Sequence, residues 1–475
     1  MTLVQTPFGP IRGLDRDATQ VFKGIRFATS QRFAEPQLVT SWDGEYDATS
    51  YQAQCHQTPG GMEQMLGKGS LAMSEDCLFL NVYTPACDHT RRPVLVWIHG
   101  GAFVNGSGST PWYDGSALAQ RSDVVVVTIN YRLGAFGYLG DLNLGTHDQI
   151  VALQWVQQAI ANFGGDASNV TIFGESAGGS AVVALLAAPA ASGLFHRAWA
   201  MSPSIAQLRN AQRGAEAEAQ FLAAAGVSSR SEAAALSPEA MLTAQQELLK
   251  DVGAGFSGFS PTSGTDLIPT SIRSAASANP TPLVLGTTRD EMQMFTTFNP
   301  EHAKIDEAGL ESLFAHRFGD ETPSALDAYR EHRPQASNAL LASAMLTDEV
   351  FRVPAWRLAE ARNGTGTATW MYWFTWPSTA FGGALGSCHA LDIPFAFHNL
   401  HRKGVSAFTG DSDERSAIAD SYADAITAFA REGSASWPAY TLDNRTTLRF
   451  DATSTVVHDP EQALRSLWAA RSAGM

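Results

Sequence analysis

A serine set among glycines, Gly174-Glu175-Ser176-Ala177-Gly178-Gly179, is the sharpest chemical signal in the sequence. It follows the apolar, β-branched run Val170 to Phe173 and precedes a helical run, Ala181 to Ala188. A serine hydroxyl is a poor nucleophile unless it is exposed, pre-positioned and next to a base, and a strained strand-to-helix turn supplies the first two conditions. Glycines two before and two after Ser176 let the backbone turn that sharply without side-chain clash. The following helix begins with free amides and a dipole that favours negative charge, which suits an oxyanion formed by attack on a carbonyl. A bare G-x-S-x-G arises by chance in Gly-rich chains; its place between strand and helix is what carries the inference.

A second glycine motif, His99-Gly100-Gly101-Ala102-Phe103, follows the apolar run Val94 to Ile98. Two glycines let backbone amides face a substrate carbonyl, so Gly100, Gly101 and the amide of Ala177 are the expected oxyanion donors. His99 is read as a residue that orients this loop rather than as a base. In hydrolases with a serine on such an elbow, the acid and then the histidine follow the serine in the chain. Beyond Ser176, His196, His302, His316, His332, His398 and His401 sit mostly in polar or helical contexts, where a solvated or packing histidine is the default. His389 lies in Gly386-Ser387-Cys388-His389-Ala390, a glycine-containing loop after the run Thr369 to Phe374, where a base would overhang the sheet edge. The acid should fall on the similar loop Gly286-Thr287-Thr288-Arg289-Asp290-Glu291, which offers two carboxylates that spacing does not separate. Adjacent residues on an extended segment point to opposite sides, so only one of them can face His389. Asp392 is a third candidate, which would need a local turn.

These loops need a sheet behind them. Val94 to Ile98, Val124 to Ile129, Val170 to Phe173, Ala198 to Met201, Leu283 to Leu285 and Thr369 to Phe374 are apolar enough to be buried on both faces, as in a largely parallel sheet. Between the second and third runs, Asp148 to Phe163 carries Ile150, Leu153, Val156 and Ile160 at helical spacing, opposite Gln154, Gln157 and Gln158, and reads as a crossover helix. From Gln212 to Lys250 the pattern turns helical and rich in Ala, Glu and Gln, which reads as a helical insertion at about 205–281. With no repeat and no linker, residues 1–475 read as one α/β catalytic domain.

Composition narrows the classes. A chain of 475 residues with 44% hydrophobic and 17% charged residues can build a large core. Its 32 Lys and Arg against 47 Asp and Glu give a net charge of −15, which repels phosphate backbones and anionic membranes and excludes nucleic acid as the expected partner. The longest nearly apolar stretch, Ala181 to Ala191, is far short of the roughly 20 residues that span a bilayer. The first residues lack a basic start followed by an apolar stretch, so the expected location is cytoplasmic. The four cysteines, Cys55, Cys77, Cys87 and Cys388, make neither a disulfide scaffold nor a zinc pattern.

Together these motifs resemble the type-B carboxylesterase family. Ser74-Glu75-Asp76-Cys77-Leu78-Phe79-Leu80-Asn81-Val82-Tyr83 is similar to the family's second signature, and Asn130-Tyr131-Arg132-Leu133-Gly134 and Phe163-Gly164-Gly165-Asp166 are also typical. Matches extend from Phe22-Lys23-Gly24-Ile25 to Phe429-Ala430-Arg431 and Trp437-Pro438. The resemblance implies the α/β-hydrolase fold, ester hydrolysis of small molecules without a metal or organic cofactor, and the triad Ser176, Glu291 and His389. It also implies two structural ion pairs, Arg32 with Glu75 and Arg132 with Asp148, and it matches Cys55 and Cys77 to a disulfide of secreted members. The missing secretory pattern counts against that bond. The sequence departs from the family at Arg26-Phe27-Ala28, which lacks the usual prolines, at Met292, which replaces the glycine after the acid, and in its trimmed loops, which imply a more open entrance. The rival readings are an amidase or carbamate hydrolase with the same triad, and a non-catalytic binding protein on the same scaffold, which intact Ser176, Glu291 and His389 oppose.

Overall fold

The apolar runs expected to build the sheet all become strands in the computed structural model, which describes residues 1–60, 71–251, 258–469 and 471. In chain order the main strands are β1 (Thr2–Thr6), β2 (Gly9–Arg16), β3 (Thr19–Arg26), β4 (Phe79–Thr84), β5 (Arg92–Ile98), β6 (Val125–Ile129), β7 (Gly165–Glu175), β8 (Arg197–Met201), β9 (Leu283–Thr288), β10 (Thr369–Phe374), β11 (Thr446–Phe450) and β12 (Thr455–His458). In space they run β1-β2-β3-β4-β6-β5-β7-β8-β9-β10-β11-β12. Every pairing from β6 through β5 and β7 to β11 is parallel. The strands on both flanks pair antiparallel.

The flanking strands have no counterpart among the apolar runs. In β2, Ile11 and Gly13 are buried while Arg12 and Leu14 are half-exposed and Asp15 and Arg16 exposed, the alternation of a sheet with one wet face. In the parallel centre both faces are covered. Val94, Val96 and Ile98 of β5 pack into one hydrophobic cluster and Leu95 and Trp97 into the other. Full burial of each such aliphatic side chain stabilises the fold by about 2 kcal/mol before entropy is counted.

The main helices are α1 (Leu144–Ala159), α2 (Ala177–Ala187), α3 (Ala211–Ala224), α4 (Pro238–Asp251), α5 (Glu307–Phe318), α6 (Thr322–His332), α7 (Asn338–Thr347), α8 (Val353–Gly364) and α9 (Arg415–Glu432). The crossover helix α1 buries Ile150, Leu153 and Val156 as its spacing implies, and ends in a 3-10 turn, Ile160–Phe163. It begins a turn earlier than expected, at Leu144, so that Asp148 lies within it, fully buried against Arg132 with Oδ1 2.7 Å from Nη2. The helical pattern from Gln212 to Lys250 is realised as α3, the short helix Arg230–Ala234 and α4; residues 252–257 of the expected insertion lie outside the described residues. A second helical stretch, α5 to α8, fills the chain between β9 and β10, and the sequence reading had not singled it out. Among the described residues no helix is long and apolar enough to cross a membrane.

Candidate active site

The elbow takes the form its glycines imply. β7 ends at Glu175, α2 starts at Ala177, and Ser176 between them is held at φ 58° and ψ −122°, a region that residues with side chains rarely occupy. The surroundings fix it: Ser176 N donates to Met201 O on β8 at 2.9 Å, and Ser180 N donates back to Ser176 O at 2.8 Å. A Cβ on Gly178 would stand 2.0 Å from the carbonyl oxygen of Ile98, so α2 presses directly on the end of β5. That contact carries the first turn of the helix to the glycine loop after β5.

In that loop a Cβ on Gly100 would lie 3.1 Å from Ser176 Cβ, which places the loop against the serine. The amides of Gly100, Gly101 and Ala177 donate to no described residue, so all three are free for an oxyanion. His99 plays the orienting part. Its Nδ1 donates to Gly100 O at 2.8 Å, its ring stacks on Tyr131 at 4.4 Å, and Tyr131 Oη donates to His99 O at 2.7 Å. Burial pushes its imidazole down to about 4, so it stays neutral.

β9 and β10 are parallel neighbours whose ends are in register, Thr288 opposite Phe374, so the loops that follow overhang the same edge. There Glu291 Oε2 lies 2.6 Å from His389 Nδ1, with both side chains buried. Glu291 Oε1 accepts from Thr288 N at 2.8 Å, which fixes the carboxylate. Asp290 turns the other way: its Oδ2 accepts from Ser387 N at 3.0 Å and Arg289 Nε at 2.9 Å, and its own N donates to Ser387 O at 2.8 Å. Asp290 therefore ties the two loops together without reaching the imidazole. Asp392 Oδ2 accepts from Tyr372 and Tyr422 hydroxyls, each at 3.0 Å, and likewise makes no bond to His389. Met292 has φ −70°, open to any residue, so the loss of glycine after Glu291 leaves the loop unstrained.

Three contacts on the imidazole had no sequence signal as such. Phe295 and Phe351 flank the ring at 5.3 and 4.7 Å between centroids, and Phe351 comes from a π-helical turn, Asp348–Arg352. The third is Glu175, inside the elbow motif but without an assigned role. Its Oε1 lies 3.1 Å from His389 Nε2 and has no hydrogen-bond partner among the described residues. Ser176 Oγ makes no hydrogen bond to a described residue, and the described group against His389 Nε2 is Glu175. Burial lifts the Glu175 carboxyl to about 8 against the attraction of His389, with Asp392 and Glu291 adding to the rise. For His389 burial acts downward, but Glu175 and Glu291 outweigh it and hold the imidazole above its usual range.

Both implied structural ion pairs are present. Arg32 meets Glu75 through two bonds, one of them 2.9 Å, and Arg132 grips Asp148 through Nε at 2.9 Å and Nη2 at 2.7 Å. Cys55 and Cys77 are buried and free.

A strained serine at the end of a parallel strand, with a bonded histidine and glutamate on the loops that follow β9 and β10 of the same sheet, makes this a hydrolase of the α/β-hydrolase fold. The profile of the carboxylesterase family matches residues 1–468, and the chain belongs to that family. It is 35% identical to the para-nitrobenzyl esterase of Bacillus subtilis, across 98% of this chain and 97% of that one. It is 32% identical to the phenmedipham hydrolase of Pseudarthrobacter oxydans, across 93% of each. Among solved structures, a Geobacillus stearothermophilus carboxylesterase superposes with a TM-score of 0.87 at 36% identity, covering 98% of this chain and all of the other. The protein is a serine carboxylesterase, and its substrates are small-molecule carboxylic esters.

Proposed function

We propose that this esterase works through Ser176, His389 and Glu291, with the amides of Gly100, Gly101 and Ala177 as its oxyanion hole, on small neutral esters of short acyl chain. The observation that carries the reading is the 2.6 Å bond from His389 Nδ1 to Glu291 Oε2, on the sheet edge where the elbow holds Ser176. His389 Nε2 takes the hydroxyl proton as Ser176 Oγ attacks the ester carbonyl carbon, and Glu291 stabilises the imidazolium. The three amides take up the oxyanion, each contributing on the order of 3 kcal/mol to the transition state. Collapse passes the proton from His389 to the departing alkoxide and leaves an acyl-serine. His389 then deprotonates a water, which attacks the acyl carbon and releases the carboxylic acid with Ser176 restored. Attack requires His389 Nε2 without a proton, and a negative Glu175 beside it favours the protonated imidazole instead.

The domain reading belongs to the same proposal: one catalytic domain over 1–475 with a helical insertion at about 205–281, supported by the continuous sheet from β1 to β12. So does a cytoplasmic setting, supported by the free Cys55 and Cys77 thiols, and a role without nucleic acid, supported by the net charge of −15.

The test is a panel of chromogenic esters of graded acyl length, beside matching amides and carbamates, run with the natural chain and with Ser176→Ala. Short esters should turn over fastest, at concentrations below their micellar limits, and Ser176→Ala should lose activity about a millionfold with little change in thermal unfolding. Substantial turnover by a clean Ser176→Ala preparation would remove the nucleophile from the mechanism. Faster turnover of amides or carbamates would replace the substrate class.

A further inference from the structure

We propose that a cleft between the start of α3 and α8, lined by none of Ser176, Glu291 and His389, is a second binding site for a small organic anion with two or more negative charges. The cleft has a volume of about 410 Å³ and is lined by Arg209, Arg213, Arg273 and Arg357 over an apolar floor that includes Ile205, Ile272 and Pro354. No Asp or Glu lines it among the described residues. In a chain whose net charge is −15, four arginines and no acid lining one cavity are the opposite of the general surface.

Like charges held together cost free energy unless something offsets them, and the nearby protein does little to do so. Arg213 and Arg273 are exposed and form no ion pair with a described residue. Arg357 spends Nη2 on the carbonyls of Trp468 and Arg471, and burial followed by repulsion from Arg273 pushes its charge downward. Arg209, 2% exposed, donates to the carbonyls of Tyr138, Gly140, Gly258 and Ser260 but to no carboxylate. Its Nε is buried without a partner among the described residues. The carboxylates within electrostatic reach are committed elsewhere, Glu218 to Arg230 at 2.5 Å and Glu360 to Arg445 at 3.3 Å.

The positive end of α3 adds to this field. That helix spans 14 residues, and its cap, Asn210, also lines the cleft and accepts from Arg213 N at 2.9 Å. Guanidinium forks match the geometry of phosphate and carboxylate, and the apolar floor suits a ligand whose charged head is attached to a hydrocarbon body. None of Ser176, Glu291 and His389 lines the cleft, so binding is measured without any ester present.

Isothermal titration of the full chain with phenyl phosphate, inorganic phosphate and phthalate tests the proposal. Phenyl phosphate should bind one per chain and more tightly than inorganic phosphate, and phthalate shows whether a dicarboxylate serves as well as a phosphate. The double variant Arg213→Gln with Arg273→Gln should bind about a hundredfold more weakly, taking about tenfold for each lost charged contact. Lys304→Gln, which removes a surface charge paired with Glu301, should bind as the natural chain does. If the double variant unfolds early, Arg213→Lys with Arg273→Lys keeps the charge and loses the fork, and should bind with intermediate strength. No saturable binding of either organic anion, more than one equivalent per chain, or unchanged affinity in the folded double variant would overturn it.

Discussion

Four carboxylates stand on or near the loop of the histidine, and their partners separate their roles. Glu291 bonds Nδ1 directly, so Glu291→Gln should lower kcat about a thousandfold or more with little change in KM. Asp290 and Asp392 act as acceptors, toward Ser387 N and toward two tyrosine hydroxyls, and an amide oxygen still accepts. Asp290→Asn and Asp392→Asn should therefore keep most of kcat, and steady-state kinetics on the three folded variants side by side checks the ranking. A larger kcat loss in either asparagine variant would move the acid to that position. Glu175 has a different part. Its negative charge near Nε2 raises His389, and only the neutral imidazole can accept the serine proton, so the carboxylate sets where activity falls on the acid side. Removing that charge in Glu175→Gln lowers the pKa of His389, and the acid limb of the kcat/KM profile should move to lower pH. A limb that stays in place would mean that Glu175 does not share the proton.

At the scale of elements, the elbow depends on backbone contact where no side chain fits. Gly178→Ala puts a methyl group 2.0 Å from Ile98 O, a carbonyl in the middle of the sheet that cannot move aside. The substitution should cost about 2 kcal/mol or more and abolish hydrolysis, because α2 and the free amide of Ala177 shift with it. Thermal unfolding and ester turnover of the purified variant check both halves. This steric rule is why the elbow, the glycine loop and the parallel centre were legible in the sequence: each writes itself as glycines at fixed places or as a continuous apolar run. The flanking strands were not legible, because half-wet antiparallel strands such as β2 leave only a broken alternation. Neither were Phe295 and Phe351, whose rings reach His389 from the short helix Gln293–Thr296 and from a π-helical turn. Nothing in the type or spacing of either residue signals which ring it will meet. Spacing allows both Glu291 and Asp290 and only the family resemblance separates them; in the structure a turn sends the adjacent carboxylates to opposite sides, and Glu291 is the one that bonds the imidazole.

For the whole molecule, the sheet gathers into one place groups that the chain supplies far apart. Glu291 and His389 stand 98 residues from each other, and α5 to α8 lie between them. Their bond needs β9 and β10 paired in register, Thr288 against Phe374, after a long stretch of chain has been closed into a loop. During synthesis the proposed nucleophile, Ser176, therefore emerges long before the proposed base, His389, and a nascent chain carrying only the finished elbow is expected to be inert toward esters. The same delay should be visible on refolding from urea. Helical ellipticity is expected to return first and hydrolytic activity later, in a stopped-flow experiment with a fluorogenic ester present from the start. One shared rate constant for both signals would mean that the two strands pair as early as the helices form. Hydrolysis is in this sense a timed property of the chain, expected only once β10 and the loop that carries His389 have been made.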